Sequence, residues 1–126
     1  MKTLQSGLLM ALSATAIAQA APMSDTQKVE ALIHAVEVLP GAQFIRNGSA
    51  YDGKAAAAHL RYKRDHSGGH CASATDFIAH CASGSSLSGQ PYRIRFADGH
   101  EVDAAVYFRS ELDHIDTGKA PPARTR

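Results

Sequence analysis

The residue types most able to do chemistry in this chain fall in two copies of one tetrapeptide. His70-Cys71-Ala72-Ser73 and His80-Cys81-Ala82-Ser83 stand ten residues apart, with His66 just upstream. Thiolate and imidazole are donors suited to copper(I) or zinc. The spacing fits none of the usual zinc arrangements, and the C-x-x-C-H that attaches haem is absent. A third helix through this stretch sets the two Cys-His pairs roughly 12–15 Å apart along its axis, too far for one ion. The plainer reading makes Cys81 a small buried apolar residue and Cys71 a residue at the helix entrance. No metal site is expected; His66, His70 and Cys71 are the residues that would form one. The same geometry bears on a disulfide, because Cα atoms more than about 7 Å apart cannot be bridged. A third helix spanning the pair and a Cys71–Cys81 bond therefore exclude each other.

The second chemical feature is the loop Gly84-Ser85-Ser86-Leu87-Ser88-Gly89. It is not G-x-S-x-G, and it leads into a strand where a nucleophile elbow leads into a helix. No Lys-Ser/Thr follows, so it is not a phosphate loop. Its hydroxyls are expected to cap carbonyls of the third helix and shape the turn into Pro91. Ser86 and Ser88 remain binding candidates for a small anion or sugar, and they are the centres of a small-hydrolase alternative.

The third feature is cationic. His59 and Lys63 are i, i+4 on the second helix, and Arg46-Asn47 lies at a hairpin tip shortly before it. Arg46, His59 and Lys63 together suit a carboxylate or phosphate, with Asn47 beside them. The competing explanation lays the Lys63 methylenes over the core edge and bonds His59 to a backbone carbonyl. His80 and Cys81 are helix neighbours pointing about 100° apart, so they make no base–nucleophile pair. Asp52, Ser73 and Asp76 read as helix caps or first-turn acids. No catalytic residue and no cofactor is expected, and the chain reads as a non-enzyme.

The elements that position these residues follow from pattern. Ser24-Asp25-Thr26-Gln27 is a capping box, and Val29, Leu32, Ile33 and Val36 form one helical stripe up to Pro40-Gly41. Asn47-Gly48 between two short extended runs predicts a type I′ hairpin. Asp52 caps a second helix to about Arg64. Ser73 opens a short third helix carrying Phe77, Ile78 and Cys81. Tyr92-Arg93-Ile94-Arg95-Phe96 alternates as a strand with its arginines outward. Ala97-Asp98-Gly99 turns the chain, and a last helix near Asp103–Ile115 buries Ala105, Phe108, Leu112 and Ile115. The order is α-β-β-α-α-β-α, an α+β fold with a small three-stranded, mostly antiparallel sheet against about four helices.

Residues 1–20 read as a signal peptide: Lys2, an apolar stretch from Gly7 to Ala18, and Ala18-Gln19-Ala20 before a cut between Ala20 and Ala21. The expected compartment is the periplasm. Residues 21–116 form one domain, and 117–126 a disordered basic tail. Of the 13 Lys and Arg, 12 lie beyond residue 20, matching all 12 Asp and Glu. A near-neutral chain without tryptophan argues against nucleic acid as a partner, and no segment past the signal peptide is apolar enough for membrane insertion.

Phe44-Ile45-Arg46-Asn47-Gly48, then Ala56-Ala57-Ala58-His59-Leu60-Arg61-Tyr62-Lys63, then Phe77-Ile78, then the run from Ala82 to Tyr92 occur in that order. In these motifs the chain resembles the YfeK-like family of small exported proteobacterial proteins, a domain of unknown function. The resemblance spans roughly Ser24 to Ile115, and F-I-R-N-G, H-L-R-x-K and S-S-x-S-G-x-P-Y are its most specific parts. It implies a Gram-negative periplasmic setting and brings no activity, cofactor or partner. The leading expectation is a non-enzymatic binding domain for a protein or envelope component. A His/Cys metal protein and a serine hydrolase are the alternatives.

Overall fold

In the computed structural model, residues 21–119 are described continuously, preceded only by Thr3, Gly7, Met10, Ala11, Ser13 and Ala14. Apart from those six, the signal peptide lies outside the described residues, as does the tail beyond Lys119.

Helix α1 (Asp25–Glu37) begins where the capping box predicts: Ser24 Oγ accepts from Gln27 N, and Gln27 Oε1 accepts from Ser24 N. Its stripe of Val29, Leu32, Ile33 and Val36 is buried. Strands β1 (Gln43–Arg46) and β2 (Ser49–Tyr51) pair antiparallel around Asn47 (φ 49°) and Gly48 (φ 78°). Both residues take the left-handed conformation a type I′ turn requires. Helix α2 (Gly53–Asp65) is capped by Asp52 Oδ1, which accepts from Ala55 N at 2.8 Å. Its first residue must be glycine for another reason. A Cβ there would stand 2.4 Å from the Val36 carbonyl oxygen, so α2 starts directly on the C-terminal end of α1. Arg61 and Arg64 then reach across to Glu30, and Arg61 also to Glu37.

Helix α3 is a single turn (Ala74–Asp76), capped by Ser73, that widens into a π-helical segment over Phe77–Ala82. Here two readings are corrected. Cys71 and Cys81 form a disulfide with Cα atoms 6.3 Å apart. The helix exists but does not span the pair: its extended N-cap (φ −87°, ψ 156°) turns the preceding chain off the helix axis, so Cys71 lies back against the next turns. The separation of roughly 12–15 Å assumed a straight α-helical path from one cysteine to the other.

The sheet has four strands, not three. Strand β3 (Arg93–Arg95) pairs with β1, and a further strand, β4 (Glu101–Asp103), pairs with β3 beyond the Ala97-Asp98-Gly99 turn. The order is β2-β1-β3-β4, antiparallel throughout. The Glu-Val-Asp of β4 has little strand propensity by itself. It is held by register, with Arg93 opposite Asp103 and Arg95 opposite Glu101, and by the ion pairs Arg93–Asp103 (2.6 Å) and Arg95–Glu101 (2.8 Å). The outward arginines of the alternation are thus paired across one face, while Phe44 and Ile94 enter the core on the other.

Helix α4 (Ala104–Thr117) follows β4 without a loop, since Ala104 N donates to Tyr92 O at 2.8 Å. That junction sets its rotation, so Ala104, Tyr107, Phe108 and Leu112 are buried, while Ala105 and Ile115 are only partly so. Thr117, assigned by pattern to the tail, ends this helix, and Gly118 (φ 65°) terminates it. The core joins the π-helical segment to α4: Phe77 and Phe108 are fully buried and meet edge to face at 6.2 Å.

Candidate functional site

Strand β1 alternates, so Arg46 shares the helix-facing side with Phe44, at the rim where the hairpin turns. Helix α2 packs along that rim and brings His59 and Lys63, one turn apart, over the end of the strand. Residues 83–92 close the third side, with Tyr92 N donating to Ser83 O and a bridge between Gly84 and Pro91. Three chain segments, carrying the three sequence motifs, therefore meet at one place.

Their side chains form a continuous network. Arg46 Nη1 donates to His59 Nδ1 at 2.6 Å, and Arg46 Nη2 to the Tyr51 hydroxyl at 3.1 Å, with the guanidinium 4.6 Å from the Tyr51 ring centre. A guanidinium cannot accept, so His59 Nδ1 is the unprotonated nitrogen and Nε2–H donates to the Tyr92 hydroxyl at 3.2 Å. Lys63 Nζ donates to the same hydroxyl at 3.3 Å and to Gly84 O at 2.9 Å. Asn47 Nδ2 donates to Ser85 Oγ, and Ser88 Oγ donates to Asn47 Oδ1 at 2.6 Å.

The electrostatics of this network are one-signed. Arg61, Arg64, Arg93 and Arg95 each meet a carboxylate. Among the described residues neither Arg46 nor Lys63 has a carboxylate within ion-pair distance. Burial, then the charges of Arg46 and Lys63, hold the His59 imidazole down at about 4. Burial and the Arg46 charge also lower the Lys63 ammonium from its usual range. Burial raises the Tyr92 phenol against the opposing pull of Arg46. A half-buried patch that repels protons and lacks a counter-charge is stabilised by an anion.

The depressed imidazole has a measurable consequence. Between about pH 4 and the ordinary histidine value of 6.5, the unfolded chain carries a proton on His59 that the folded chain does not. Stability therefore falls as pH is lowered through that window, by at most about 1.4 kcal/mol per pH unit and less for a partly exposed group. Glu30 and Glu101 have lowered values below the ordinary 4.5, so their losses come at more acid pH. His59→Gln is expected to flatten the urea-unfolding profile between pH 4.5 and 6.5. A profile equally steep in the variant would exclude this imidazole as the cause.

The candidates from pattern divide cleanly. Arg46, Asn47, His59, Lys63 and Ser88 are brought together. Ser86 is not: it points to solvent, and the serine that braces the loop is Ser85, 9% exposed, whose hydroxyl accepts from Leu87 N, Ser88 N and Asn47 Nδ2. His59 bonds neither a carbonyl nor a serine. Lys63 does lie against the core edge, its ammonium 5.0 Å from the Tyr92 ring centre. Tyr92 was legible only as a core residue, yet its buried ring carries a hydroxyl that ties His59 to Lys63. The carbonyl of Ala79 is capped from just outside the loop, by Ser83, which donates to it at 2.8 Å, while the loop's own Ser85 and Ser88 bond Asn47 and nearby backbone N–H groups.

The metal candidates do not assemble. The Cys71 sulfur is in the disulfide and offers no thiolate, which corrects its place in any ligand set. His66 Nδ1 donates to Tyr62 O, and its ring stacks on Tyr62 at 4.0 Å. His70 is exposed on the loop, and no group of three metal-binding side chains forms among the described residues. No serine of the loop has a histidine within hydrogen-bond distance among those residues; Ser88 is engaged by Asn47. Two clefts lie away from the cationic network, one of about 330 Å³ between the π-helical segment and α4 and one of about 210 Å³ beside Cys71.

A family model described as a family of unknown function (DUF5329) matches residues 23–116. The uncharacterised protein YfeK of Salmonella typhimurium strain LT2 is 34% identical over 65 residues, covering 52% of this chain and 54% of that protein. The chain thus spans about half the length of the curated relative it matches. No solved structure matches.

Proposed function

The chain belongs to the DUF5329 family of unknown function, and from that footing we propose that its domain is a non-enzymatic binding module of the periplasm. Its Arg46–His59–Lys63 network takes an anionic group, carboxylate or phosphate, on a protein or envelope component. The observation that carries the reading is the pair of half-buried cations with no carboxylate partner among the described residues. Two charge-assisted hydrogen bonds on an open surface support an affinity for a small anion of roughly 1 mM. The test is titration of the oxidised domain with inorganic phosphate and, separately, acetate, followed through His59 and Lys63 by NMR. Saturable shifts confined to the network are expected with at least one of the two anions. Shifts spread over all basic residues, with no saturation, would defeat the reading.

The export half of the proposal rests on residues 1–20 acting as a signal peptide cut between Ala20 and Ala21. A buried disulfide supports it, because such bonds form and persist in oxidising compartments. No helix among the described residues is long and apolar enough to cross a membrane. The protein from the periplasmic fraction is expected to have the mass of a chain starting at Ala21. Recovery of the full chain from the cytosol, with reduced cysteines, would overturn this half alone.

A further inference from the structure

Leu87 is 98% exposed, against 60% for Tyr62 and 56% for Val38 and Val106. An isolated exposed leucine is ordinary. This one differs in how its backbone is held. Ser85 N donates to Gln90 O and Gly89 N to Ser85 O, both at 2.9 Å, so the turn is closed at its base. Ser85 Oγ accepts from the backbone N–H of Leu87 and of Ser88. Asn47 grips the turn through both Ser85 and Ser88, and Lys63 grips it through Gly84 O. Lys63 of the cationic network and Asn47 beside Arg46 thus fix this loop, and the loop presents an aliphatic side chain to water. Rigid presentation removes most of the ordering cost that a flexible loop would bear on binding.

We infer that Leu87 is the apolar anchor of an interface flanked by Arg46 and Lys63, and that its occupant is a protein offering an apolar socket beside a carboxylate. The inference rests on the anionic reading above and adds the class of partner. Charge complementarity selects the acidic flank, since both cations lack a carboxylate within the described chain. A bilayer is a poorer fit. One leucine carries far fewer methylenes than a myristoyl chain, which itself holds a protein to a membrane only marginally and reversibly. Two cations fall short of the basic clusters of four to eight that mark lipid-headgroup surfaces. A socket that surrounds the side chain and excludes water gives a single anchor much more effect.

The experiment places a photo-crosslinking diazirine amino acid at Leu87, and in separate chains at Val38 and Val106, in cells making the full protein. Position 87 is expected to capture a discrete protein at least tenfold more efficiently than the other two, at a peptide containing Asp or Glu. Arg46→Gln in the same chain is expected to cut that yield about tenfold. Capture that survives Arg46→Gln unchanged upholds the anchor and overturns the anionic reading. Equal capture at all three positions, or crosslinks to lipid alone, overturns the anchor. So does co-sedimentation of the purified domain with vesicles of phosphatidylglycerol and phosphatidylethanolamine in equal parts, if Leu87→Ser abolishes it.

Discussion

Replacing both cysteines, Cys71→Ala with Cys81→Ala, is expected to lower the stability of the domain by about 2–3 kcal/mol, the loop-entropy value for a ten-residue closure. For a domain of this size that is a fall in thermal midpoint on the order of 10 °C or more. Alanine is the proper replacement. Both positions are buried, at 1% and 2% exposure, and a serine hydroxyl there would add its own desolvation cost. The damage should be local at first. Cys71 pins the loop that follows α2 to the π-helical segment, and just beyond it Ala74 N donates to Asp25 Oδ1 of α1 at 3.0 Å. Hydrogen exchange should therefore accelerate over residues 67–82 before it does so in α1 or the sheet. Reduction of the unaltered protein should reproduce the shift, and a midpoint that ignores reductant would mean that the bond contributes no stability.

Arg46→Gln carries the largest functional effect expected. Losing a charge-assisted donor at a half-buried site costs about 1.5–3 kcal/mol of binding, a ten- to hundredfold weakening toward phosphate or acetate. The fold should tolerate the change. Arg46 is at the rim, and its partners His59 and Tyr51 are neutral groups that a glutamine or water can serve. A second readout separates this from simple damage: with the Arg46 charge gone, the His59 imidazole titrates nearer its ordinary value. Weakened binding together with a raised His59 titration supports the site; unchanged affinity defeats it. Lys63 is the less clean target, because its ammonium also holds Gly84 O, so Lys63→Gln is expected to loosen the serine loop as well as weaken binding.

These expectations also mark where pattern reading succeeds. Capping at Ser24, Asp52 and Ser73 is a bond between residues three apart, and the Asn47-Gly48 turn depends on two residues' backbone preferences. Both are local and therefore legible. Strand β4 is not, because three residues with two acids reveal no strand until Arg93 and Arg95 stand opposite. The choice between Ser85 and Ser86 turns on which hydroxyl faces inward at a tight turn, and adjacent serines carry no sign of that.

By itself, the chain determines the α+β class, the helix starts, the hairpin and the placing of His59 and Lys63 one turn apart on one helix. Each of those follows from short-range bonding or from hydrophobic period. Only the tertiary structure decides that Cys71 returns to Cys81, that the sheet gains a fourth strand, and that Tyr92 and Ser85 hold the network together. Those outcomes depend on contacts between residues far apart in the chain, or on which way a turn faces once it is packed. Spacing along the chain contains neither distance nor direction across the fold.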